Sequence, residues 1–162
     1  MRNGCISYQG MQPGEEAAVC ELVHAVFDRL VAPQFSQQGI DEFRKYVRPE
    51  ALAERAREGH KVILAREGDA LLGMIEIREA KHISLLFVDE AHQGRGIGRE
   101  LISRAFQHCH AANAGITSVT VHASPNSVEF YRRVGFLPEG SERVENGIRY
   151  RPMHSYRLKP GR

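Results

Sequence analysis

The sequence predicts a mixed α/β fold with an antiparallel front half. Lys61–Glu67 and Ala70–Arg78 are predicted strands, because the intervening Gly68-Asp69 favours a tight turn between antiparallel neighbours. The next strand, about His82 to Val88, is apolar at consecutive positions, which is typical of a strand covered on both faces. Apolar residues at helical spacing occur before and after these strands. Strands and helices therefore alternate along the chain, although this order alone does not select one fold family.

The chain before these strands is predicted to be mainly helical. Ile6-Ser7-Tyr8 predicts a first strand, and apolar residues at three- and four-residue spacing predict a helix over about residues 14–30. Pro49 suits the first turn of a later helix, which we expect to end before Gly59. Between them, a further helical stretch is indicated by Ile40, Phe43, Tyr46 and Val47.

The second half of the chain continues the alternation. A helix is predicted after residue 98, with an end near Gly115, and it directs inward Leu101, Ile102, Ala105 and Phe106. Ser118–Val121 predicts the fifth strand. A short helix of about two turns is expected between Ser124 and Gly135, because glycine suits the position just past a helix end.

The end of the chain predicts a hairpin. Asn146-Gly147 is a strong signal for a two-residue turn. The strands that it joins are expected near Ser141–Glu145 and Ile148–Leu158.

Composition narrows the class of protein. A chain of 162 residues predicts one domain over residues 1–162, and 42% hydrophobic with 26% charged residues is typical of a soluble globular protein. The net charge of +2 is too small to predict a nucleic-acid partner or an anionic membrane. No apolar run is long enough to predict a membrane span. The polar N-terminal residues do not predict a secretion signal. Three cysteines without metal-ligand spacing predict reduced thiols and a cytoplasmic location.

Residues 93–98, Gln-Gly-Arg-Gly-Ile-Gly, form the most informative motif. Glycines at alternate positions let backbone N–H groups converge on a phosphate at the start of the next helix. The phosphate loop of nucleotide triphosphatases needs Gly-Lys-Ser/Thr at its end, whereas Ile97-Gly98-Arg99-Glu100 stands here. The dinucleotide fingerprint needs a sixth-position glycine, and counting from Gly94 that position is Arg99. Both of these ligand classes are therefore excluded.

The order Gln-x-x-Gly-x-Gly between a strand and a helix resembles the acyl-coenzyme-A-binding motif of the GNAT N-acetyltransferase superfamily. Residues 82–102 carry this motif, with Gln93, Gly96 and Gly98 at its defining positions. Some thirty residues later, residues 130–136 resemble the family's short helix reading Phe-Tyr-x-x-x-Gly-Phe. The two motifs have the family's order and separation. The resemblance is strong from residue 60 onward and generic before it.

This resemblance implies a fold, a donor and a set of binding residues. The fold is a mostly antiparallel sheet of six to seven strands with about four to five helices, splayed between strands 4 and 5. The donor is acetyl-coenzyme A, whose pantetheine arm lies in the splay. The coenzyme-binding residues implied are Leu86, Phe87, Val88, Gln93, Gly94, Arg95, Gly96, Ile97, Gly98, Arg99, Ser124, Asn126 and Phe130.

Several of these assignments have alternatives that the sequence leaves open. Arg95 and Arg99 can pair with the phosphates of coenzyme A or remain solvated on the surface. Ser124 and Asn126 can contact the coenzyme, cap the short helix, or do both.

The chemistry of acetyl transfer guides the catalytic candidates. The amine must be neutral, the developing oxyanion needs a hydrogen-bond donor, and the departing thiolate benefits from a proton. Tyr131 matches the family tyrosine that serves as the general acid, and the alternative is a wall residue. The candidate bases are His82, mostly unprotonated near neutral pH, and Glu76 on the preceding strand. The alternatives are that His82 is a packing residue, that Glu76 is a solvated carboxylate, and that a chain of water molecules deprotonates the amine.

No metal site is predicted. His108 and His110 are two residues apart on a helix and face about 200° apart, so they cannot share one ion. Three other histidines can approach one another if their strands share a sheet, namely His82, His122 and His154. No carboxylate or cysteine stands at ligand spacing from them.

The acceptor is the least determined part of the prediction. By resemblance, the first helices and the last hairpin wall its groove, and these contain Phe27, Pro33, Phe35, Tyr46, Glu139, Glu142 and Glu145. We expect the primary amine of a small molecule, attacking directly in a ternary complex. A protein or peptide amine, and a non-catalytic sensor of acyl-coenzyme A, remain as alternatives. A homodimer is compatible with the sequence.

Overall fold

The computed structural model describes residues 4–155 as an α/β structure around one sheet. Its strands are β1 (Ile6–Gly10), β2 (Lys61–Glu67), β3 (Ala70–Arg78), β4 (His82–Val88), β5 (Thr120–Ala123), β6 (Phe136–Pro138), β7 (Arg143–Glu145) and β8 (Ile148–Ser155). The strand order is β1-β2-β3-β4-β5-β8-β6, with β7 paired to β8 beside this path. Only β4 and β5 pair in parallel, and all other neighbours within the described residues are antiparallel.

Five α-helices accompany the sheet in the described part of the chain. They are α1 (Glu16–Leu30), α2 (Gln37–Tyr46), α3 (Pro49–Arg57), α4 (Ile97–Ala112) and α5 (Val128–Arg133). The predicted fold class is therefore confirmed. The sheet has eight strands rather than six to seven. The additional strand is β6, three residues after Gly135 that pair with β8.

Several element boundaries differ slightly from the prediction. β5 begins at Thr120 rather than Ser118. The Ser118 hydroxyl donates to the Ser155 carbonyl oxygen, and the Val119 N–H donates to the Ser155 hydroxyl. α4 ends at Ala112, before the predicted Gly115. The last strand was predicted to reach Leu158, and its part beyond Ser155 lies outside the described residues.

The two faces of the sheet carry separate apolar clusters. α4 and α5 cover one face, where Leu101, Ala105 and Phe136 are almost fully buried. α1 and α3 cover the other, where Val19 and Leu52 are equally enclosed. Since both clusters share the central strands, the sheet fixes the positions of helices on both sides.

β4 bends away from β5 at a β-bulge. Glu76 of β3 lies opposite Leu85, and Ile77 lies opposite Ile83, so Ser84 is the extra residue on β4. β4 pairs with β5 only at His82 and Ile83. A bulge bends its strand and increases the local twist, so the two strands separate from Ser84 onward. The predicted splay between strands 4 and 5 is confirmed.

Candidate active site

A cleft of about 1270 Å³ lies where β4 and β5 separate. Its walls are α1, α2 and α3 on one side, the β7–β8 hairpin on another, and the glycine loop with α5 at one end. A large cleft beside a strand edge, with polar groups along an apolar wall, is the usual form of a ligand site. No helix within residues 4–155 combines the length and apolar character needed to cross a membrane.

The glycine loop starts α4 without a side-chain cap. Gly94 and Gly96 have positive φ angles of 84° and 81°, in the left-handed region that glycine adopts without steric cost. Gly96 is the N-cap of α4, and no described side chain bonds to the first N–H groups of that helix. Unsatisfied N–H groups and the positive end of the helix dipole favour an anion here. This geometry fits a phosphate of coenzyme A.

Most of the predicted loop residues border the cleft. Gln93, Gly94, Gly96, Ile97 and Gly98 all line it. The Gln93 side chain donates a hydrogen bond from Nε2 to the Val88 carbonyl oxygen at 3.1 Å, so it ties the loop to the end of β4. A Cβ atom on Gly98 would lie 3.0 Å from the Phe130 ring, which shows how closely α4 approaches α5.

The two arginines of the loop have different surroundings. Arg99 lines the cleft. Arg95 instead forms an ion pair with Glu67 of β2, with 2.9 Å between Nη2 and Oε2, and it is not among the residues that line the cleft. The structure therefore favours Arg99, and not Arg95, as a contact for a phosphate.

The residues of β4 divide between the two sides of the strand. Leu86 and Val88 pack against the α4 side, whereas Phe87 packs against the α1 side, with its ring centroid 5.9 Å from that of Phe43. All three are half-buried and line the cleft. The strand was predicted to be covered on both faces, and this holds for its first residues but not for these three.

The short helix borders the same cleft. Ser124, Asn126 and Phe130, which the resemblance implied as coenzyme-binding residues, line it. Neither of the two polar residues caps a helix through its side chain, and the Ser124 hydroxyl lies 2.9 Å from that of Ser127.

Tyr131 is held in an aromatic cluster at the wall of the cleft. Its ring makes edge-to-face contacts with Phe130 and Phe136, both at centroid distances of 5.3 Å. It is 5% exposed, and burial raises the pKa of its phenol above the ordinary value of 10.0. The phenol therefore keeps its proton throughout the neutral range and can serve as a donor.

His82 borders the cleft at the point where β4 still pairs with β5. Its Nδ1 lies 2.7 Å from the Thr120 hydroxyl, and its ring lies edge-on to His122 with 4.8 Å between centroids. Burial, followed by the positive charge of Arg78 and by His122, lowers the pKa of His82 to about 4. The imidazole is therefore neutral near pH 7, although a weak proton acceptor.

The histidines do not assemble a metal site. His82 and His122 meet, but His122 stacks on Tyr150 with 4.3 Å between centroids. His154 is directed to Glu139, with 3.4 Å between Nδ1 and Oε1. Among the described residues, no group of three or more histidine, cysteine or carboxylate side chains is arranged to hold a metal ion.

Glu76 was a candidate base with a solvated carboxylate as the alternative, and its surroundings match neither. Its side chain is fully buried and does not line the cleft. Arg55 bonds to both carboxylate oxygens, at 2.7 and 3.0 Å, and His60 Nδ1 lies 2.7 Å from Oε2. Both oxygens are thus occupied by cationic or hydrogen-bonding partners. Glu76 is neither a solvated carboxylate nor placed to accept a proton from an amine.

The side of the cleft that the resemblance assigns to the acceptor also has lining residues that were not predicted for it. Arg78, Phe43 and Tyr150 line it beside the predicted Phe35, Tyr46 and Glu145. Phe27 is fully buried and stacks on Phe43 at 3.8 Å instead. The other predicted wall residues are not part of the lining: Pro33, Glu139 and Glu142. The helical spacing of Phe43 and Tyr46 was a signal for a buried face, and it carried no information about a cleft.

Comparisons with known proteins show the family to which the chain belongs. The acetyltransferase (GNAT) domain family matches residues 31–156, and the chain belongs to this family. An uncharacterized N-acetyltransferase of Methanocaldococcus jannaschii is 37% identical over 76 residues, which cover 46% of this chain and 33% of that protein. The match thus spans about a third of the length of that relative.

Solved structures of low sequence identity share the fold. A GCN5-related N-acetyltransferase from Rhodopseudomonas palustris has a TM-score of 0.81 at 21% identity, with 96% of this chain and 98% of that chain covered. The PaiA N-acetyltransferase of Thermoplasma acidophilum, in complex with coenzyme A, has a TM-score of 0.76 at 19% identity, with 94% and 99% covered. A chimera of the Vibrio cholerae spermidine N-acetyltransferase SpeG with hSSAT has a TM-score of 0.64 at 18% identity, with 93% and 94% covered.

Proposed function

We propose that this protein is an acetyl-coenzyme-A-dependent N-acetyltransferase that acts on the primary amine of a small molecule. The observation that carries the proposal is the uncapped start of α4 at the end of a splayed strand. There, the left-handed Gly96 and the side-chain-free Gly98 leave room for a phosphate, and β4 presents backbone that is not paired with β5. Proteins of the same fold include one in complex with coenzyme A and a spermidine N-acetyltransferase.

The donor would be held along β4 and the glycine loop. The N–H groups at the start of α4, together with Arg99, would bind its phosphates. The backbone of Leu86, Phe87 and Val88, which has no partner on β5, would pair with its pantetheine arm. Acetyl-coenzyme A supplies an acetyl group activated as a thioester.

Tyr131 and His82 would carry out the two proton transfers of the reaction. The acceptor nitrogen forms the new amide bond as the carbon–sulfur bond breaks. Neutral His82 accepts the proton that leaves the nitrogen, directly or through water, and Tyr131 donates a proton to the departing sulfur. Because the lowered pKa makes His82 a weak base, we expect it to accept this proton only as the new amide bond forms, when the attacking nitrogen becomes acidic.

A test of the donor assignment uses coenzyme A binding alone. We expect coenzyme A to raise the melting temperature of the protein, because a ligand that binds only the folded state stabilises it. Gly96→Val should abolish this rise, since a β-branched residue at φ 81° moves the loop and fills the phosphate site. Gly14→Val is the matched control, because Gly14 also has a positive φ and open space around it but does not line the cleft. An equal rise in Gly96→Val would contradict the assignment.

A test of the activity uses release of free thiol from acetyl-coenzyme A with a panel of acceptors. The panel contains polyamines, aminoglycosides, amino acids and short peptides. Transfer to small amines supports the proposal, and preferential transfer to peptides favours a protein or peptide acceptor. Binding of coenzyme A without thiol release for any acceptor would favour a non-catalytic sensor.

The organisation of the whole chain is part of the proposal. We infer one acetyltransferase domain over residues 1–162, with no nucleic-acid or membrane partner. A cytoplasmic location and a homodimer stay predictions from the sequence.

A further inference from the structure

Arg95, in the middle of the glycine loop, is held by the end of β2. Its Nη2 lies 2.9 Å from Glu67 Oε2, and the two side chains are 33% and 26% exposed. Among residues 4–155, Glu67 is the one carboxylate within ion-pair distance of Arg95. Glu100, in the first turn of α4, pairs with Arg104 at 2.9 Å instead. Neither Glu67 nor Arg95 takes part in the proton transfers or phosphate contacts proposed above.

The position of Glu67 is fixed by its neighbours before any arginine binds. Glu67 is the last residue of β2, where it lies opposite Ile6 of β1 and Ala70 of β3. A Cβ atom on Gly4 would lie 3.1 Å from Glu67 Cγ, so the Gly4 backbone packs against the stem of this side chain. A carboxylate with a paired backbone and a packed stem loses little conformational freedom when it forms an ion pair.

The β2–β3 hairpin also holds the chain at the start of the segment that leads to the loop. The register between the two strands shifts after Ala65, and Leu72 is the extra residue on β3. At this bulge the Leu72 carbonyl oxygen accepts a hydrogen bond from the Asp89 N–H at 2.8 Å. Asp89 follows directly on β4. The end of one hairpin therefore contacts the segment at Asp89 and at Arg95, on either side of residues 90–94.

The glycine loop has few other attachments. Within residues 93–98, the other side-chain hydrogen bond of the structure joins Gln93 to the Val88 carbonyl oxygen. Gly94 and Gly96 have positive φ angles, and glycine loses more conformational freedom than any other residue when it is ordered. A loop that is ordered before its ligand arrives binds that ligand more tightly. The Glu67–Arg95 ion pair is thus placed to affect phosphate binding without touching a phosphate.

We propose that Glu67 is a positioning residue for the donor: by holding Arg95, it fixes the glycine loop in the conformation that binds the phosphates of coenzyme A. Arg95 then contributes to coenzyme binding through Glu67, and not by contact with a phosphate. This inference rests on the proposed function and adds to its donor site a residue outside the cleft.

The test uses the direction in which Glu67→Gln changes the Kd for coenzyme A, measured by titration calorimetry. Removal of a negative charge favours an anionic ligand, and an Arg95 released to contact a phosphate would also lower the Kd. Loss of loop order acts in the opposite direction. We expect the Kd to rise about threefold, as for loss of a partly exposed ion pair. An unchanged or lower Kd would overturn the inference.

Two further variants separate the ion pair from the net charge. Glu67→Asp keeps the charge, but its carboxylate is one methylene group too short to reach Arg95, so the Kd should rise here also. Asp28→Asn removes the same charge from the Asp28–Arg44 pair, which likewise has a distance of 2.9 Å, and neither of its residues lines the cleft. This control should keep the wild-type Kd. A rise in Asp28→Asn equal to that in Glu67→Gln would overturn the inference.

Arg95→Gln completes a double-mutant cycle with Glu67→Gln. If both residues act through one ion pair, the double variant should have a Kd close to that of Arg95→Gln alone. Independent effects that add would contradict the inference. In steady-state kinetics, the KM for acetyl-coenzyme A should rise in each variant while kcat stays unchanged, because the pair acts on donor binding. A lower kcat at an unchanged Kd would exclude a positioning role for the donor.

The wild-type protein separates failure of this inference from failure of the proposed function. A wild type that binds coenzyme A with the same Kd as both Glu67 variants overturns the inference and leaves the donor assignment intact. A wild type that does not bind coenzyme A overturns the proposed function and the inference together. Melting curves without coenzyme show that each variant is folded.

Discussion

The surroundings of Tyr131 predict the effect of removing a single oxygen atom. Tyr131→Phe keeps the ring among Phe130 and Phe136, so packing and coenzyme binding should persist. We expect kcat to fall about 100-fold, the lower range for loss of a positioned general acid. Steady-state kinetics and the melting shift with coenzyme A measure the two effects separately. A variant with unchanged kcat would show that the thiolate leaves without help from the phenol.

The lowered pKa of His82 predicts that the stability of the protein depends on pH. Its pKa is about 4 in the folded protein and 6.5 as the ordinary value. Between these values the unfolded chain binds a proton at His82 and the folded protein does not, so the free energy of unfolding rises as the pH increases from about 4 to about 6.5. Urea unfolding at about pH 5 and pH 7.5 should show this rise.

His82→Asn should reduce the difference in stability between the two pH values. Part of the difference should remain, because burial also lowers the pKa of His108 and His122. An undiminished difference in the variant would mean that the pKa of His82 is not lowered by folding and that other groups cause the dependence on pH.

At the scale of elements, the ion pair between Arg55 and Glu76 connects α3 to β3. Arg55 also donates to the Tyr46 carbonyl oxygen at 2.6 Å, so the same side chain fixes the junction between α2 and α3. Both helices line the cleft. The carboxylate of Glu76 thus helps to hold one wall of the cleft in place.

Glu76→Ala should therefore destabilise the protein strongly. It leaves the guanidinium of Arg55 without its buried partner, which costs about 3 to 5 kcal/mol in free energy of unfolding. Glu79→Ala is the control, since Glu79 pairs with Lys81 at 3.4 Å on the surface and should contribute less than about 1 kcal/mol. Urea denaturation measures both variants. A similar small loss in the two would contradict the structural role of Glu76.

On the scale of the whole molecule, one sheet supports both apolar clusters. Met74 and Leu85 belong to the cluster under α1, whereas Ile75 and Ile83 belong to the cluster under α4. Alternate residues of the same strands thus serve both clusters. Neither cluster can unfold while the other stays packed, because both lie on the same strands.

We accordingly expect one cooperative unfolding transition for the chain. Near-ultraviolet circular dichroism of the tyrosines and far-ultraviolet circular dichroism of the backbone should give coincident urea curves. Coenzyme A at about 100 times its Kd should raise the free energy of unfolding by about 2.7 kcal/mol and move both curves together. Separate transitions would contradict a single domain.

The local features were predictable from the sequence because neighbouring residues encode them. The glycine loop is an example, since the left-handed conformations of Gly94 and Gly96 depend on those residues themselves. The hairpin turn at Asn146-Gly147 and the start of α3 at Pro49 are further examples. The family motif at residues 93–98 has this local origin, which is why the donor could be inferred without a structure.

Only the tertiary structure decided which candidate groups are free to act. Glu76 meets Arg55 and His60, 21 and 16 residues away, and His82 meets Thr120, 38 residues away. The backbone contact between Gly39 of α2 and Gly147 of the hairpin joins parts of the chain that are farther apart still. Burial, ion pairing and pKa depend on such distant partners, which no local pattern specifies. The sequence by itself therefore determined the fold class and the glycine loop, whereas the folded chain decided the surroundings of the candidate proton-transfer groups and the shape of the cleft.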